Sequence, residues 1–171
     1  MKMKDKIYNI KITALLFLTA FFMVWGAGMQ ITAEAEETDP VEITIDGIKY
    51  TLDEENQTAK VTYYSEKDNE AVKEKVVPSE VSYADKNYTV IEIRSGAFSM
   101  ASYLEKIVLP ATVRKIGSGA FIDCSALREI NLPKGIKTIE MSTFMDCVSL
   151  EEIVIPDTVE VMESAVFLGC S

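Results

Sequence analysis

Histidine is absent from this sequence of 171 residues, which also has only three cysteines and one tryptophan. Without histidine the chain lacks the commonest general base, the commonest metal ligand and every Ser-His or Cys-His nucleophile pair. The cysteines include no C-x-x-C pair, which removes a common signature of metal and redox sites. Lys and Arg total 17 against 27 Asp and Glu, a net charge of -10. This balance argues against a nucleic-acid partner, because phosphates require clustered basic residues.

Between Val90 and Ser171 the sequence repeats a unit of 23 residues. Seven columns of apolar residues and prolines stand in register: Phe98, Phe121, Phe144 and Phe167; Pro110, Pro133 and Pro156; Leu104, Leu127 and Leu150; Ile107, Ile130 and Ile153; Leu109, Leu132 and Ile155; Ile93, Ile116, Ile139 and Met162; Val90, Val113, Ile136 and Val159. Such a period is typical of solenoids, whose units bury their apolar faces only by stacking. The sequence therefore predicts a mainly β repeat solenoid, with three full units and a truncated fourth in residues 90–171.

Each unit contains one clear strand pattern. Leu127-x-x-Ile130-x-Leu132 matches the core of leucine-rich repeats, and its alternation predicts a strand with one buried face. We expect stacked parallel strands at Glu105–Leu109, Arg128–Leu132 and Glu151–Ile155. A second short extended segment is predicted around residues 113–116 and their copies, followed by a tight turn at residues 118–121. Residues 121–127 are compatible with a helical turn or with irregular coil.

Residues 36–89 predict a β-hairpin N-terminal cap and a degenerate first repeat. Apolar and polar residues alternate on both sides of Asp46-Gly47, a strong hairpin signal, and a third strand is expected at Thr58–Tyr64. The charged stretch Glu66–Glu74 is interpreted as surface loop. A second hairpin is predicted around residues 84–87, and we expect this region to cover the open end of the first coil.

Residues 1–35 have the pattern of a signal peptide. Four lysines precede the apolar run from Ala14 to Met29, and Ala33-Glu34-Ala35 supplies a small-x-small cleavage site. The sequence therefore predicts export, with Glu36 as the mature start. An uncleaved membrane anchor is the alternative, and the signal segment would then be the chain's only contact with the membrane.

The unit IGSGAFIDCSALREINLP and its copies resemble the BspA-like leucine-rich repeat family of exported microbial surface proteins. The resemblance is close over residues 90–171, and residues 47–64 and 77–93 resemble the hairpin region that often opens such arrays. This chain departs from the pattern at Ala101, where Cys is usual, and at Thr143 and Val166, where Ala is usual. The resemblance implies a cell-surface or secreted protein that binds other macromolecules, often host proteins or extracellular matrix, without shared catalytic residues.

We therefore expect a non-enzymatic protein-binding or adhesion module with no catalytic, cofactor-binding or metal-binding residues. Its candidate binding face consists of the outward positions of the predicted strands: Lys106, Val108, Glu129, Asn131, Glu152 and Val154. Arg114, Lys137 and Glu160 are expected to extend this face. The expected partners are extracellular or host proteins. One alternative is a structural spacer that presents another domain. Another is the repeat region of a larger protein with a catalytic domain beyond residue 171. Because the last unit is truncated, we expect the chain to continue.

Two further groups of residues have competing interpretations. Cys124, Cys147 and Cys170 form one column of the repeat, which fits either a metal or redox site or a ladder of buried thiols, and we favour the thiol ladder. The acidic cluster Asp53-Glu54-Glu55 fits a solvated turn better than a calcium site, because it lacks the spacing of calcium-binding loops.

Overall fold

The computed structural model describes residues 39–65 and 72–170, which are mainly β and contain no helix. The described strands are β1 (Val41–Ile45), β2 (Ile48–Asp53), β3 (Thr58–Tyr64), β4 (Glu74–Val76), β5 (Glu80–Tyr83), β6 (Lys86–Ile93), β7 (Lys106–Val108), β8 (Lys115–Ile116), β9 (Glu129–Ile130), β10 (Thr138–Ile139) and β11 (Val161–Met162). A helix of the length and apolarity needed to cross a membrane is therefore absent from the described part of the chain. The predicted signal segment, residues 1–35, lies outside these residues.

Two hairpins form where the sequence predicts them. Asp46 and Gly47 join β1 to β2, and both have positive φ, 49° and 78°. Ala84 and Asp85 join β5 to β6, with φ of 48° and 60°. Positive φ at both central residues is the turn geometry that matches the right-handed twist of paired strands. The predicted third strand is also confirmed, because β3 pairs antiparallel with β2.

Strand β6 joins the N-terminal hairpins to the repeat region. It pairs antiparallel with β5 and parallel with β3 on its other side. At its end, Glu92 and Ile93 pair in parallel with Lys115 and Ile116 of β8. The chain thereby changes from antiparallel hairpins to parallel pairing between successive units. The short strands β8, β10 and β11 lie at the predicted second extended segment of each unit.

Two further sheets of the described structure are parallel: β10 pairs with β11, and a three-stranded sheet has the order β4-β7-β9. The first strand of this three-stranded sheet corrects part of the interpretation of Glu66–Glu74 as surface loop: Glu74 is exposed, but it begins β4, and residues 66–71 lie outside the described residues. Lys75, at the centre of β4, is only 8% exposed. Its Nζ donates a hydrogen bond to the Asp46 carbonyl oxygen at 2.8 Å and lies 5.4 Å from the centroid of the Tyr64 ring. These two contacts compensate for burying a charged group, so a lysine is accepted at an inward strand position.

The predicted strand Glu151–Ile155 is wrong. Residues 151–155 have no strand assignment, and no ladder joins them to β9 in the described structure. Ile153 and Ile155 are only partly buried, whereas Ile107 and Ile130 of the preceding units are 1% and 7% exposed. The apolar pattern is present in this segment, but neither ladder hydrogen bonds nor full burial hold it as a strand.

A column of aromatic rings fills the core. Phe98, Phe121 and Phe144 are fully buried, and Phe167 is partly buried. Ring centroids of successive members are 5.5, 5.4 and 5.5 Å apart, with interplanar angles between 4° and 21°. Tyr64 extends the column from β3, its ring centroid 5.3 Å from that of Phe98. Stacked pairs of this kind contribute about 0.5–1.5 kcal/mol each beyond their burial.

The turns that carry these rings are joined by backbone hydrogen bonds. The amides of Phe98, Phe121 and Phe144 donate to carbonyls of the following unit, at 2.8, 3.0 and 2.9 Å. Each turn also contains left-handed residues, and Met100, Asp123, Asp146 and Gly169 have φ of 60°, 60°, 59° and 80°. Residues 121–127 therefore form turns, which settles the alternative left open by the sequence. Bonds between turns satisfy buried backbone groups that a helix would satisfy internally.

Candidate functional site

The six residues of the predicted binding face come together in the structure. Lys106, Val108, Glu129, Asn131, Glu152 and Val154 all line one open groove, whose volume is about 730 Å³. Residues of strands β7 and β9 line the groove together with residues 152–154. Ile130 and Ile153 also line it, so apolar side chains stand beside polar and charged ones in the groove. The groove is open and concave.

Side chains of opposite charge alternate along one outward column of the sheet. Glu74, Lys106 and Glu129 follow each other across β4, β7 and β9. Lys106 Nζ and Glu129 Oε1 are 2.9 Å apart, and this hydrogen bond, together with the Glu129 charge, raises the pKa of Lys106. Solvent screens such exposed pairs, so they contribute little to the free energy of unfolding.

The second outward column is apolar except at one position. Val76 and Val154 are 57% and 74% exposed, and Val108 is half-buried. Asn131 occupies the remaining position and forms hydrogen bonds with the backbone of Leu109, the residue that follows β7. Its Oδ1 accepts from the Leu109 amide and its Nδ2 donates to the Leu109 carbonyl, both at 2.8 Å. The Asn131 side chain thus continues the hydrogen bonding between the two strands beyond the end of β9. Its amide group is therefore already hydrogen-bonded within the fold.

The predicted extension of the face does not reach the groove. Arg114, Lys137 and Glu160 are exposed, but none of them lines it. The Arg114 guanidinium donates to the backbone carbonyls of Ala111 and Val113. Lys137 Nζ lies 2.7 Å from Glu160 Oε1, and this hydrogen bond lowers the pKa of Glu160. Lys137 and Glu160 thus link successive units on another part of the surface, whereas Arg114 bonds within its own unit.

Two carboxylates hold neighbouring units together, a role that sequence reasoning missed. Glu140 Oε2 accepts from the Ser118 amide at 2.9 Å, and Glu163 Oε2 accepts from the Met141 amide at 2.8 Å. Each bond joins residues 22 positions apart. The signal was available, because both glutamates directly follow the second extended segment of their units. Charge-assisted hydrogen bonds to backbone amides are stronger than neutral ones, so these carboxylates stabilise the contact between the turns of successive units.

The cysteine column is a ladder of thiols. Cys124 and Cys147 are fully buried, Cys170 is partly buried, and none of the three forms a disulfide in the described structure. Each Sγ donates to the carbonyl of a phenylalanine 26 positions earlier, at 3.1 Å in every case. A hydrogen bond with the Cys124 side chain lowers the pKa of Cys147, whereas burial raises the pKa of Cys170. The buried-thiol interpretation is confirmed for the first two cysteines.

Other candidate metal ligands are not brought together. Among residues 39–65 and 72–170, no group of three or more His, Cys, Asp or Glu side chains is placed to bind a metal. In the acidic cluster, the Asp53 carboxylate accepts from the Asn56 amide and side chain at 2.9 and 3.0 Å, which lowers the pKa of Asp53. This carboxylate therefore organises a turn between β2 and β3.

Comparison with known proteins identifies relatives in several bacteria. The sequence profile of the BspA type leucine-rich repeat region matches residues 79–171, in six copies. A leucine-rich repeat protein from Bacteroides ovatus shares 35% identity over 75% of this chain and 33% of its own, with a TM-score of 0.68. A leucine-rich repeat protein from Bacteroides capillosus shares 26% identity over 72% of this chain and 88% of its own, with a TM-score of 0.66.

A leucine-rich cell surface protein from Faecalibacterium prausnitzii shares 27% identity over 73% of this chain and 33% of its own, with a TM-score of 0.61. The chain thus spans about a third of the length of the B. ovatus and F. prausnitzii proteins. No curated protein sequence shows significant similarity to it. The profile match covers more than half of the chain and agrees with the curled, mainly β structure. This chain belongs to the BspA-type leucine-rich repeat family.

Proposed function

We propose that this protein is an exported, non-enzymatic module that binds other proteins at the cell surface or after secretion. The groove carries the proposal, because apolar, polar and charged side chains line it together along strands β7 and β9. Mixed polar and apolar character of this kind is typical of protein–protein interfaces. The expected partners are extracellular or host proteins. The cell-surface protein of F. prausnitzii supports this location, as does the signal-peptide pattern of residues 1–35.

The same proposal includes a division of the chain. Residues 1–35 are the signal peptide, residues 36–89 the hairpin cap with a degenerate first repeat, and residues 90–171 an array of 23-residue coils. Parallel register supports the coil length, because Lys106 pairs with Glu129, and Thr138 with Val161, in each case 23 residues later. The stack of Tyr64 on Phe98 supports the cap, since it covers the first phenylalanine of the column.

A substitution of one exposed valine tests the binding role. Val154→Lys places a charge in the apolar part of the groove, at a side chain that is 74% exposed and therefore tolerates the change. Val148→Lys is the matched control, because Val148 is 47% exposed and does not line the groove. Binding to purified extracellular matrix and host surface proteins is measured with wild-type protein and both variants, after confirming equal unfolding midpoints.

We expect Val154→Lys to weaken binding by about tenfold or more, since a charge buried without a partner costs over 1 kcal/mol. Val148→Lys should bind as the wild type does. Equal affinity of all three proteins would show that the groove is not the binding site. If no extracellular protein binds, the chain acts as the structural spacer.

A further inference from the structure

Strand β1 stands at one edge of the largest sheet. It pairs antiparallel with β2 along its whole length, and no other described strand pairs with its opposite side. The turn at Asp46-Gly47 joins Ile45 to Ile48, and in a turn of this type the two flanking residues are hydrogen-bonded to each other. Bonds to β2 alternate along β1 from that pair, so the amides and carbonyls of Glu42 and Thr44 point towards the free edge.

The edge lacks the features that usually keep sheet edges from pairing. Natural edge strands are blocked by lysines, prolines, bulges or very short length. Strand β1 contains no lysine or proline, and its register with β2 is unbroken. All its residues except Glu42 are β-branched, which favours strand structure. The Glu42 carboxylate already pairs with Lys49 Nζ at 3.2 Å, so a further strand can add to this edge.

The apolar side chains of β1 are incompletely buried. Val41, Ile43 and Ile45 pack against the core but remain partly exposed, whereas Ile48 and Tyr50 of β2 are 1% and 0% exposed. A strand added at the edge would remove more of this apolar surface from water, which is favourable. The gain is largest when the added strand presents apolar residues at the same alternate positions.

A second copy of β1 is such a strand. A proline precedes β1 and the hairpin turn follows it, so pairing is limited to five residues with Ile43 at the centre. Two copies can pair antiparallel about a two-fold axis at this residue. Ile43 then faces its counterpart in the second copy, and Val41 faces Ile45. On the other side of the strand Glu42 faces Thr44, so no charge lies opposite a like charge.

Other symmetric registers are less favourable. Only Glu42 and Thr44 direct backbone groups to the free edge, so only they can form hydrogen-bonded pairs across it. Pairing Glu42 with its own counterpart would place two carboxylates directly opposite each other, which is destabilising. Pairing Thr44 with its counterpart would retain only residues 43–45. The register in which Glu42 pairs with Thr44 uses the whole strand.

We propose that this protein forms a symmetric dimer in which the β1 strands of two copies pair antiparallel about Ile43. The proposal goes beyond the binding function above and does not depend on it, because no residue of β1 lines the groove. Each copy carries a net charge of -10, which opposes association. Added salt screens this repulsion, so the dimer should form more readily as ionic strength rises.

Cysteine substitutions test the register. In the dimer, Ile43 and its counterpart are directly opposite, within the Cα separation that a disulfide bridges, whereas Glu42 and its counterpart are diagonal neighbours about 7–8 Å apart. On oxidation by air, Ile43→Cys should form a disulfide-linked dimer and Glu42→Cys should not, although Glu42 is the more exposed residue. A mixture of Glu42→Cys and Thr44→Cys chains should be cross-linked again. Every chain also carries Cys170→Ser, because Cys170 is the one native thiol that is not fully buried.

Sedimentation of the full chain tests the edge itself. Thr44→Pro removes an amide that points away from β2, so the fold should tolerate the change. By symmetry it removes half of the ladder hydrogen bonds between the two copies, and it should weaken dimerisation by about tenfold or more. Thr44→Val is the matched control, because it keeps the amide and should dimerise as the wild type does. Residues 1–35 are common to all these chains, so association through them would not distinguish the variants.

Three results would each overturn the proposal. They are a wild-type chain that stays monomeric up to about 1 mM, equal dimerisation of wild type and Thr44→Pro at equal unfolding midpoints, and cross-linking of Glu42→Cys as readily as Ile43→Cys. If Thr44→Pro does not fold, the cross-linking pattern alone decides.

Discussion

Replacing Phe121 with alanine should destabilise the protein severely. Its side chain is fully buried, and its ring stacks between those of Phe98 and Phe144, with centroids 5.5 and 5.4 Å away. Removing a buried phenylalanine ring costs about 3–5 kcal/mol through lost burial and the remaining cavity. Two stacked contacts disappear together, so we expect the upper half of this range, about 4–5 kcal/mol.

Phe167→Ala provides an internal comparison at the equivalent position of another unit. Phe167 is only partly buried, and its ring stacks on one described neighbour, Phe144, at 5.5 Å. The same chemical change should therefore cost about half as much, roughly 2 kcal/mol. Phe121→Leu keeps much of the buried volume and should fall between wild type and Phe121→Ala.

Urea unfolding followed by far-UV circular dichroism measures these differences, because the single tryptophan, Trp25, lies outside the described residues. Phe121→Ala should lower the unfolding midpoint with little change in slope. Its melting temperature should fall by roughly 10–20 °C. Equal losses for Phe121→Ala and Phe167→Ala, or a Phe121→Ala variant within about 1 kcal/mol of wild type, would refute the claim that stacked rings hold the units together.

Three smaller predictions concern polar groups. Asn131→Ala should cost about 1–2 kcal/mol in urea unfolding, because the amide and carbonyl of Leu109 lose their partner; an unchanged midpoint would contradict this. Cys147 should react with bulky thiol reagents only on unfolding, since it is fully buried; rapid labelling of the native protein would contradict its burial. Lys137 lowers the pKa of Glu160 in the folded protein. The stabilisation by this pair should therefore be fully present above the pKa of Glu160 in the unfolded chain, about 4.3, and should disappear as the pH falls through its pKa in the folded protein. Glu160→Gln and wild type should then converge in stability at acid pH, and a difference that persists there would contradict the assignment.

Much of the fold follows from local patterns in the sequence. The hairpin at Asp46-Gly47 and the strand Thr58–Tyr64 are predicted correctly, because turn chemistry and alternation are properties of neighbouring residues. The phenylalanine column is equally visible, since stacking units repeat one inward position. These features need no knowledge of distant contacts.

Other features depend on contacts that the local pattern does not contain. Strand β4 escaped prediction because its central residue is Lys75, and only the Asp46 carbonyl and the Tyr64 ring make that lysine acceptable in the interior. The expected strand at residues 151–155 has the right apolar pattern but no ladder to β9. The residues of the candidate site were named correctly as neighbours, whereas the concave shape of the groove and the role of Asn131 required the coordinates.

Amide hydrogen–deuterium exchange with and without a bound extracellular partner protein tests the central claim most directly. If the groove on the β4-β7-β9 sheet is the binding site, the partner should slow exchange at residues 106–108, 129–131 and 152–154. Exchange in β10 and β11, which lie in a different sheet, should not change. Protection confined to β10 and β11, with none along the groove, would contradict the account.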